Sequence, residues 1–185
     1  MSAAAPDLPT IEIVVTYMSM AAPPAGPARP APPGKLALLR AEQPSVGFYR
    51  FLYNEVGEAW QWTDRRLMPD DELSAVIRDP AVEIYVLYAG GVPSGYAELD
   101  FRAMPVADLA YFGLMPAFIG RGLGTWLLDW AVRALWRKGP REVTVNSCNL
   151  DHPRALQNYQ RVGFVPLRRE TKRLVPLEAV KAIGL

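Results

Sequence analysis

Gly120-Arg121-Gly122-Leu123-Gly124 is the stretch of this chain whose residue types and spacing speak most directly of chemistry. Glycines between a strand end and a helix start let the backbone curl tightly and leave amide N–H groups unpaired. With the positive end of the helix dipole, such amides form an anion site, so the expected ligand carries phosphate. An apolar run, Leu109 to Met115, precedes the turn and is closed by Pro116; Thr125 to Lys138 follows with helical periodicity and neither Gly nor Pro. Two nucleotide motifs fail on spacing. A GxxxxGK loop needs a Lys that does not follow Gly124, and a GxGxxG fingerprint needs Gly where Leu127 stands. A glycine-rich connector without a ligand remains the competing reading of the turn taken alone.

The chain has 185 residues, enough for one domain with a real core, and half of them are hydrophobic. Twenty basic residues against 19 acidic ones give a formal net charge of +1, which exerts no global pull toward nucleic acid or an anionic membrane. One cysteine, Cys148, rules out an intramolecular disulfide and a four-cysteine zinc site, and a lone His152 argues against a histidine metal cluster. No metal is expected. Met1 to Pro9 is read as a tail without a basic or long apolar signal segment, and no run suits a bilayer, so the expected setting is cytoplasmic by default.

The elements that must position the turn follow from pattern. Thr10–Met20 is β-branched and aromatic and reads as a strand; residues 21–34 are Pro, Ala and Gly-rich and read as an extended, solvated loop. Lys35–Arg40 gives a short strand, Pro44–Gly57 a helix around an apolar stripe, and Glu72–Arg78 a helix opened by acids. Val82–Tyr88 and Gly95–Arg102 form a hairpin across Ala89–Pro93, and Val106–Met115 gives the next strand. After the long helix come strand Glu142–Cys148, a helix from Asp151-His152-Pro153 to Val162 stopped by Gly163, and strand material over Phe164–Leu174. The pattern predicts a single α/β (α+β) domain over residues 10–185, built on one mixed sheet flanked by helices.

Arg121-Gly122-Leu123-Gly124-Thr125, placed between that strand and helix, resembles the acetyl-CoA loop of the GNAT acetyltransferase superfamily, whose pattern is Gln/Arg-x-x-Gly-x-Gly/Ala. Gly122 and Gly124 match, while Ile119 stands where the family has Gln or Arg. Downstream, His152 to Phe164 resembles the family's Asn-x-x-Ala-x-x-x-Tyr-x-x-x-Gly-Phe helix, with Ala155, Tyr159, Gly163 and Phe164 in step and His152 replacing Asn. The resemblance implies a GNAT-like domain with a mostly antiparallel sheet and acetyl-CoA as cosubstrate. It implies direct transfer of the acetyl group to an amine, small-molecule or peptide, in a ternary complex. A degenerate member that binds acyl-CoA as a sensor or interaction module is the alternative, motivated by Ile119 and His152. Neither nucleic acid nor membrane is expected as a partner, and a homodimer is an open option.

On this resemblance, amides from Gly120, Arg121, Gly122, Leu123, Gly124 and Thr125 hold the pyrophosphate. Leu114, two residues before Pro116, supplies the backbone amide that polarises the thioester carbonyl, and Met115, His152 and Asn158 border the cofactor. Strand Glu142–Cys148 is expected to splay from the strand bearing Leu114. Tyr159 is the expected acid for the leaving thiolate, an uphill transfer from a phenol near ~10 to a thiol near ~8.5; the competing role is packing. Tyr96, Glu98, Asp100 and Arg102 share one strand face, so Glu98 is the first choice of base and Asp100 the second, against a merely solvated face. Trp60 and Trp62 either wall the acceptor pocket, with Glu58 or Asp64 attracting a cationic amine, or close the core. Cys148 reads as buried filler.

Overall fold

Ile11–Met20, where β-branched residues alternate with Glu, Thr and Ser, forms strand β1 in the computed structural model, which describes residues 8–185. Most of the tail expected over residues 1–9 lies outside the described residues. Six more strands follow: β2 (Leu36–Arg40), β3 (Val82–Ala89), β4 (Val92–Asp100), β5 (Val106–Leu114), β6 (Glu142–Cys148) and β7 (Val165–Leu174). They make one sheet in the order β2-β3-β4-β5-β6-β1-β7, in which β5 and β6 run parallel and every other neighbouring pair antiparallel. The mixed, mostly antiparallel α/β architecture is therefore the expected one.

Helices cover both faces. Tyr49, Leu52, Tyr53 and Val56 of α1 (Val46–Gly57), with Leu73 and Ile77 of α3 (Asp70–Ile77), bury against Ile84, Val86 and Tyr96. On the opposite face, Leu128, Ala131, Val132 and Leu135 of α4 (Leu123–Trp136) and Tyr159 of α5 (Ala155–Val162) pack on Ala97, Leu99, Val143 and Val145. Alternation along β4 sends Tyr96 to one layer and Ala97 to the other. Two short helices lack a sequence signal: α2 (Asp64–Leu67), too short to show a period, and α6 (Leu177–Ala182) after β7. Among the described residues no helix is long and apolar enough to cross a membrane.

One arrangement differs from expectation. The proline-rich segment is exposed but not free: Arg29 N–H donates to Asp129 Oδ2 at 3.0 Å, and the Arg133 guanidinium donates to the carbonyls of Gly26 and Pro27 at 3.2 and 3.1 Å. Prolines remove donors but leave carbonyl acceptors, and α4 supplies the partners. Strand β1 threads between β6 and β7, with Val15 opposite both Cys148 and Glu170.

The positioning feature for the site is the parallel pair. β5 and β6 are in register only at Val106↔Glu142, Ala107↔Val143 and Asp108↔Thr144. Past that point β5 runs on to Leu114 paired only with β4, and β6 to Cys148 paired only with β1. A gap opens through the sheet between them, as expected for the strands bearing Leu114 and Cys148.

Candidate active site

A cleft of about 990 Å³ fills this gap and reaches both faces of the sheet. One wall is β5 from Asp108 to Leu114; the other includes Asn146 and Cys148 of β6. At one end lies the glycine turn, at the other the segment Trp60–Arg65. Met115 N–H donates to Ser94 C=O at 2.9 Å, so antiparallel alternation turns the Leu114 and Phe112 N–H groups the other way, toward the gap.

The turn meets the requirements of an anion cradle. Gly122, at φ 78°, precedes the first residue of α4, and no side chain among the described residues caps that helix. The N–H groups of Leu123, Gly124 and Thr125 thus lack both the intrahelical acceptor that every first turn lacks and a capping substitute. A Cβ at Gly120 or Gly122 would meet nothing within 4 Å, leaving space before the amides, whereas one at Gly124 would lie 3.4 Å from Leu114 Cδ1, so the turn seats closely on the end of β5. The residues present fit a pyrophosphate. Arg121 lays its guanidinium over the Phe118 ring, 5.1 Å from the centroid, and Ile119 is exposed at the mouth.

Of the expected site residues, Leu114, Gly120, Gly122, Gly124, Thr125, His152, Asn158, Tyr159, Trp60 and Trp62 all border the cleft. Two need correction. The Met115 side chain is buried in the core beneath α1, and its N–H and C=O are taken by Ser94 and Phe118. Glu98 is 0% exposed: Oε1 accepts from Arg65 Nη2 at 2.8 Å, and Oε2 accepts from the Tyr49 hydroxyl. Burial raises its carboxyl, opposed by Arg65 and Tyr49, and neither oxygen faces the cleft. The Glu98 side chain is a structural anion. Glu98→Gln should cost about 3–5 kcal/mol by stranding the buried Arg65 charge, read as a lower urea midpoint; an unchanged midpoint would show that the pair holds nothing together.

Asp64, Asp100, Asp108 and Asp151 border the cleft, and of these Asp108 stands at the point of divergence. It stands opposite Asp100 in the β4–β5 ladder, yet the two differ in environment. Burial works against the Asp100 charge, but Arg102, bonded to it at 2.6 Å, holds that carboxyl below its usual value. Asp108 has no such cation. Burial lifts it from 3.8 to about 6, despite a hydrogen bond from Thr144 Oγ1 at 2.5 Å. Nothing in the local sequence marks Asp108; only the pairing of β5 with β6 does.

Tyr159 is 8% exposed, and burial, then Asp151 and Asp108, push its phenol well above the ordinary value, so the hydroxyl keeps its proton. Cys148 is half-buried, and burial followed by Asp151 raises its thiol. Asp151 ties the cleft together: Oδ1 accepts from Trp62 Nε1 at 3.3 Å, and Oδ2 from Ser147 Oγ and Cys148 N at 2.7 and 2.8 Å. Trp60 meets the His152 ring edge-on, centroids 5.2 Å apart, while His152 Nδ1 accepts from Arg154 N–H at 3.1 Å. Both tryptophans therefore bridge to the loop before α5, and Trp62 also packs on the core through Tyr53 and Tyr111.

The sequence model of the Acetyltransferase (GNAT) family matches residues 41–164. No curated protein matches by sequence. A GCN5-related N-acetyltransferase from Sphaerobacter thermophilus superposes with a TM-score of 0.62 at 17% identity, over 89% of this chain and 52% of that one. A tandem GNAT protein from the clavulanic acid biosynthesis pathway gives 0.61 at 21% identity, over 90% and 54%. An aminoglycoside N-acetyltransferase in complex with CoA gives 0.53 at 22% identity, over 77% and 93%. The chain spans about half the length of the first two, and at these identities the likeness is one of fold.

Proposed function

The chain belongs to the GNAT acetyltransferase family, and from that premise we propose that it is an acetyl-CoA-dependent N-acetyltransferase, moving the acetyl group to an amine by direct transfer in a ternary complex. The observation that carries this reading is the gap between β5 and β6 with the uncapped glycine turn at its end. A structural relative crystallised with CoA supports the choice of cosubstrate. When bound, acetyl-CoA supplies an acyl group activated as a thioester, with a thiolate as its leaving group.

The residues divide the work. Amides of Gly120 to Thr125 receive the pyrophosphate, and Asn158 and His152 border the same groove. The Leu114 N–H, fixed by the β4–β5 ladder, is preorganised to polarise a carbonyl oxygen lying in the gap. Asp108, about 20 Å of strand away from Leu114, takes the proton of the incoming ammonium through waters lying along the cleft; its raised carboxyl is poised near neutrality, where a base is most effective. The Tyr159 hydroxyl donates a proton to the departing thiolate, and Trp60 and Trp62 wall the acceptor's approach. Residues 10–185 act as one domain in this reading.

Titration with acetyl-CoA should show one saturable site, weakened at least about tenfold in Gly122→Val, where a β-branched residue must adopt a strained positive φ. Thiol release should then follow addition of a suitable amine. Absence of binding at high micromolar acetyl-CoA defeats the proposal. Binding without thiol release across a broad amine panel favours an acyl-CoA-binding module instead.

A further inference from the structure

The proline-rich segment borders a second cavity, of about 450 Å³, which it shares with α4 and the end of α5. The charged residues lining it are Arg29 of the segment, Asp129 and Arg133 of α4, and Arg161 of α5. Three guanidiniums thus face one carboxylate, and that carboxylate is spent. Asp129, 6% exposed, accepts through Oδ2 from both Arg133 Nε and the Arg29 backbone N–H. Among the described residues no acid pairs with the side chain of Arg29 or of Arg161. The lining therefore carries a formal excess of two positive charges.

Arg29 is placed there by its backbone. Its own N–H and the carbonyls of Gly26 and Pro27 are bonded to α4, and Pro27 and Pro30 restrict the chain on either side. An anchored side chain has less freedom to lose on binding. The guanidinium fork matches phosphate oxygens, and a phosphate monoester, at about −2 near neutral pH, matches the charge excess. The cavity also adjoins the cleft. Thr125, Asp129 and Arg133 lie on successive turns of one face of α4. Thr125 borders the cleft, and the other two border the second cavity about 6 Å and about 12 Å further along the helix. Arg161 borders both. The first of those steps is comparable to the span across one ribose between the phosphates it carries.

We infer that the second cavity is a site for a dianionic phosphate group, received by Arg29 and Arg161 across the groove between α4 and α5. Two sources offer that chemistry: the ribose phosphate of acetyl-CoA, with its pyrophosphate at the glycine turn, and a free phosphorylated molecule. The first rests on the acetyltransferase reading; the second does not. Arg29 precedes residues 41–164, so the segment that would complete the site lies outside the part of the chain the family model matches.

The test titrates acetyl-CoA and its dephospho form, which keeps the pyrophosphate and lacks the ribose phosphate, into the wild type, Arg29→Gln and Arg161→Gln by calorimetry. Ionic strength is held constant, because salt screens exposed charges. In a second arm the thermal midpoint of each protein, without cofactor, is followed in inorganic phosphate against sodium chloride of matched ionic strength. Both side chains are exposed, and Arg29→Gln keeps the backbone bond to Asp129, so neither variant should unfold. If the cofactor supplies the phosphate, the wild type should bind acetyl-CoA about tenfold tighter than the dephospho form. Each variant should then lose most of that preference, with affinity for the dephospho form unchanged. If a free molecule supplies it, the two cofactors bind alike. Inorganic phosphate at about five times its Kd then raises the wild-type midpoint by about 2–4 °C, and that of neither variant. A preference or a phosphate shift that survives in either variant overturns the inference, as does the absence of both in the wild type. Failure of the wild type to bind either cofactor fells the acetyltransferase reading, and the phosphate arm then decides the inference by itself.

Discussion

Asp108→Asn should lower kcat/KM by about 10²–10³-fold and erase the acidic limb of its pH profile. In the wild type that limb should fall near pH 6, where the buried carboxyl titrates. The sign for stability is opposite to that for activity. A carboxyl raised in the folded state binds its proton more tightly there than in the unfolded chain. Stability from this group is therefore full below about pH 4 and declines as pH rises through about 6. At neutral pH the ionised group works against the fold by about 3 kcal/mol at most. The Asn variant, which carries no such charge, should unfold at the same or higher urea concentration than the wild type at pH 8. An inactive variant at least as stable as its parent cannot be dismissed as misfolded. A persistent limb near pH 6 in Asp108→Asn would remove Asp108 as the base.

Tyr159→Phe carries the second large effect, a fall in turnover of about 10²–10³-fold with a less than twofold change in acetyl-CoA affinity. The ring packs edge-on against Phe112 and Phe164, with centroids 6.4 and 6.0 Å away, and Phe preserves both contacts. What is lost is the hydroxyl. Because its pKa is raised, Tyr159 should show no titration of its own in the working range, and the alkaline limb should be unmoved by the substitution. Turnover within threefold of wild type would reduce Tyr159 to a packing residue.

The parts of this site that could be read from sequence are those whose chemistry is local. The glycine turn announces itself because a strand, a tight turn and a helix start are contiguous, and Tyr159 with Gly163-Phe164 because one helix and its stop carry all three. The failures lie where the deciding partner is distant. Glu98 looks like a solvated carboxylate in its own strand; its fate is set by Arg65, on a helix of four residues that shows no period, and by Tyr49 on α1. Asp108 looks like an interruption of an apolar strand until Thr144 and Asp100 are placed on either side. Met115 seemed to border the cofactor because it adjoins Leu114, but alternation turns its backbone into the β4 ladder. Position along the chain told which residues exist near the turn; the sheet register told which of them face it.

The threading of β1 between β6 and β7 bears on how the molecule is assembled. The family match ends at residue 164, so both β1 and β7 lie beyond the segment it recognises. During synthesis the first strand emerges with neither neighbour yet made, and the last strand has only the first to pair with. Contacts this far apart in sequence must overcome loop-closure entropy before they contribute, which slows folding. β1 therefore meets its partners only after β6, and then β7, have been made. With Ile13, Val15 and Tyr17 bordering the cleft, one wall of the pocket exists only once these long-range pairings have formed.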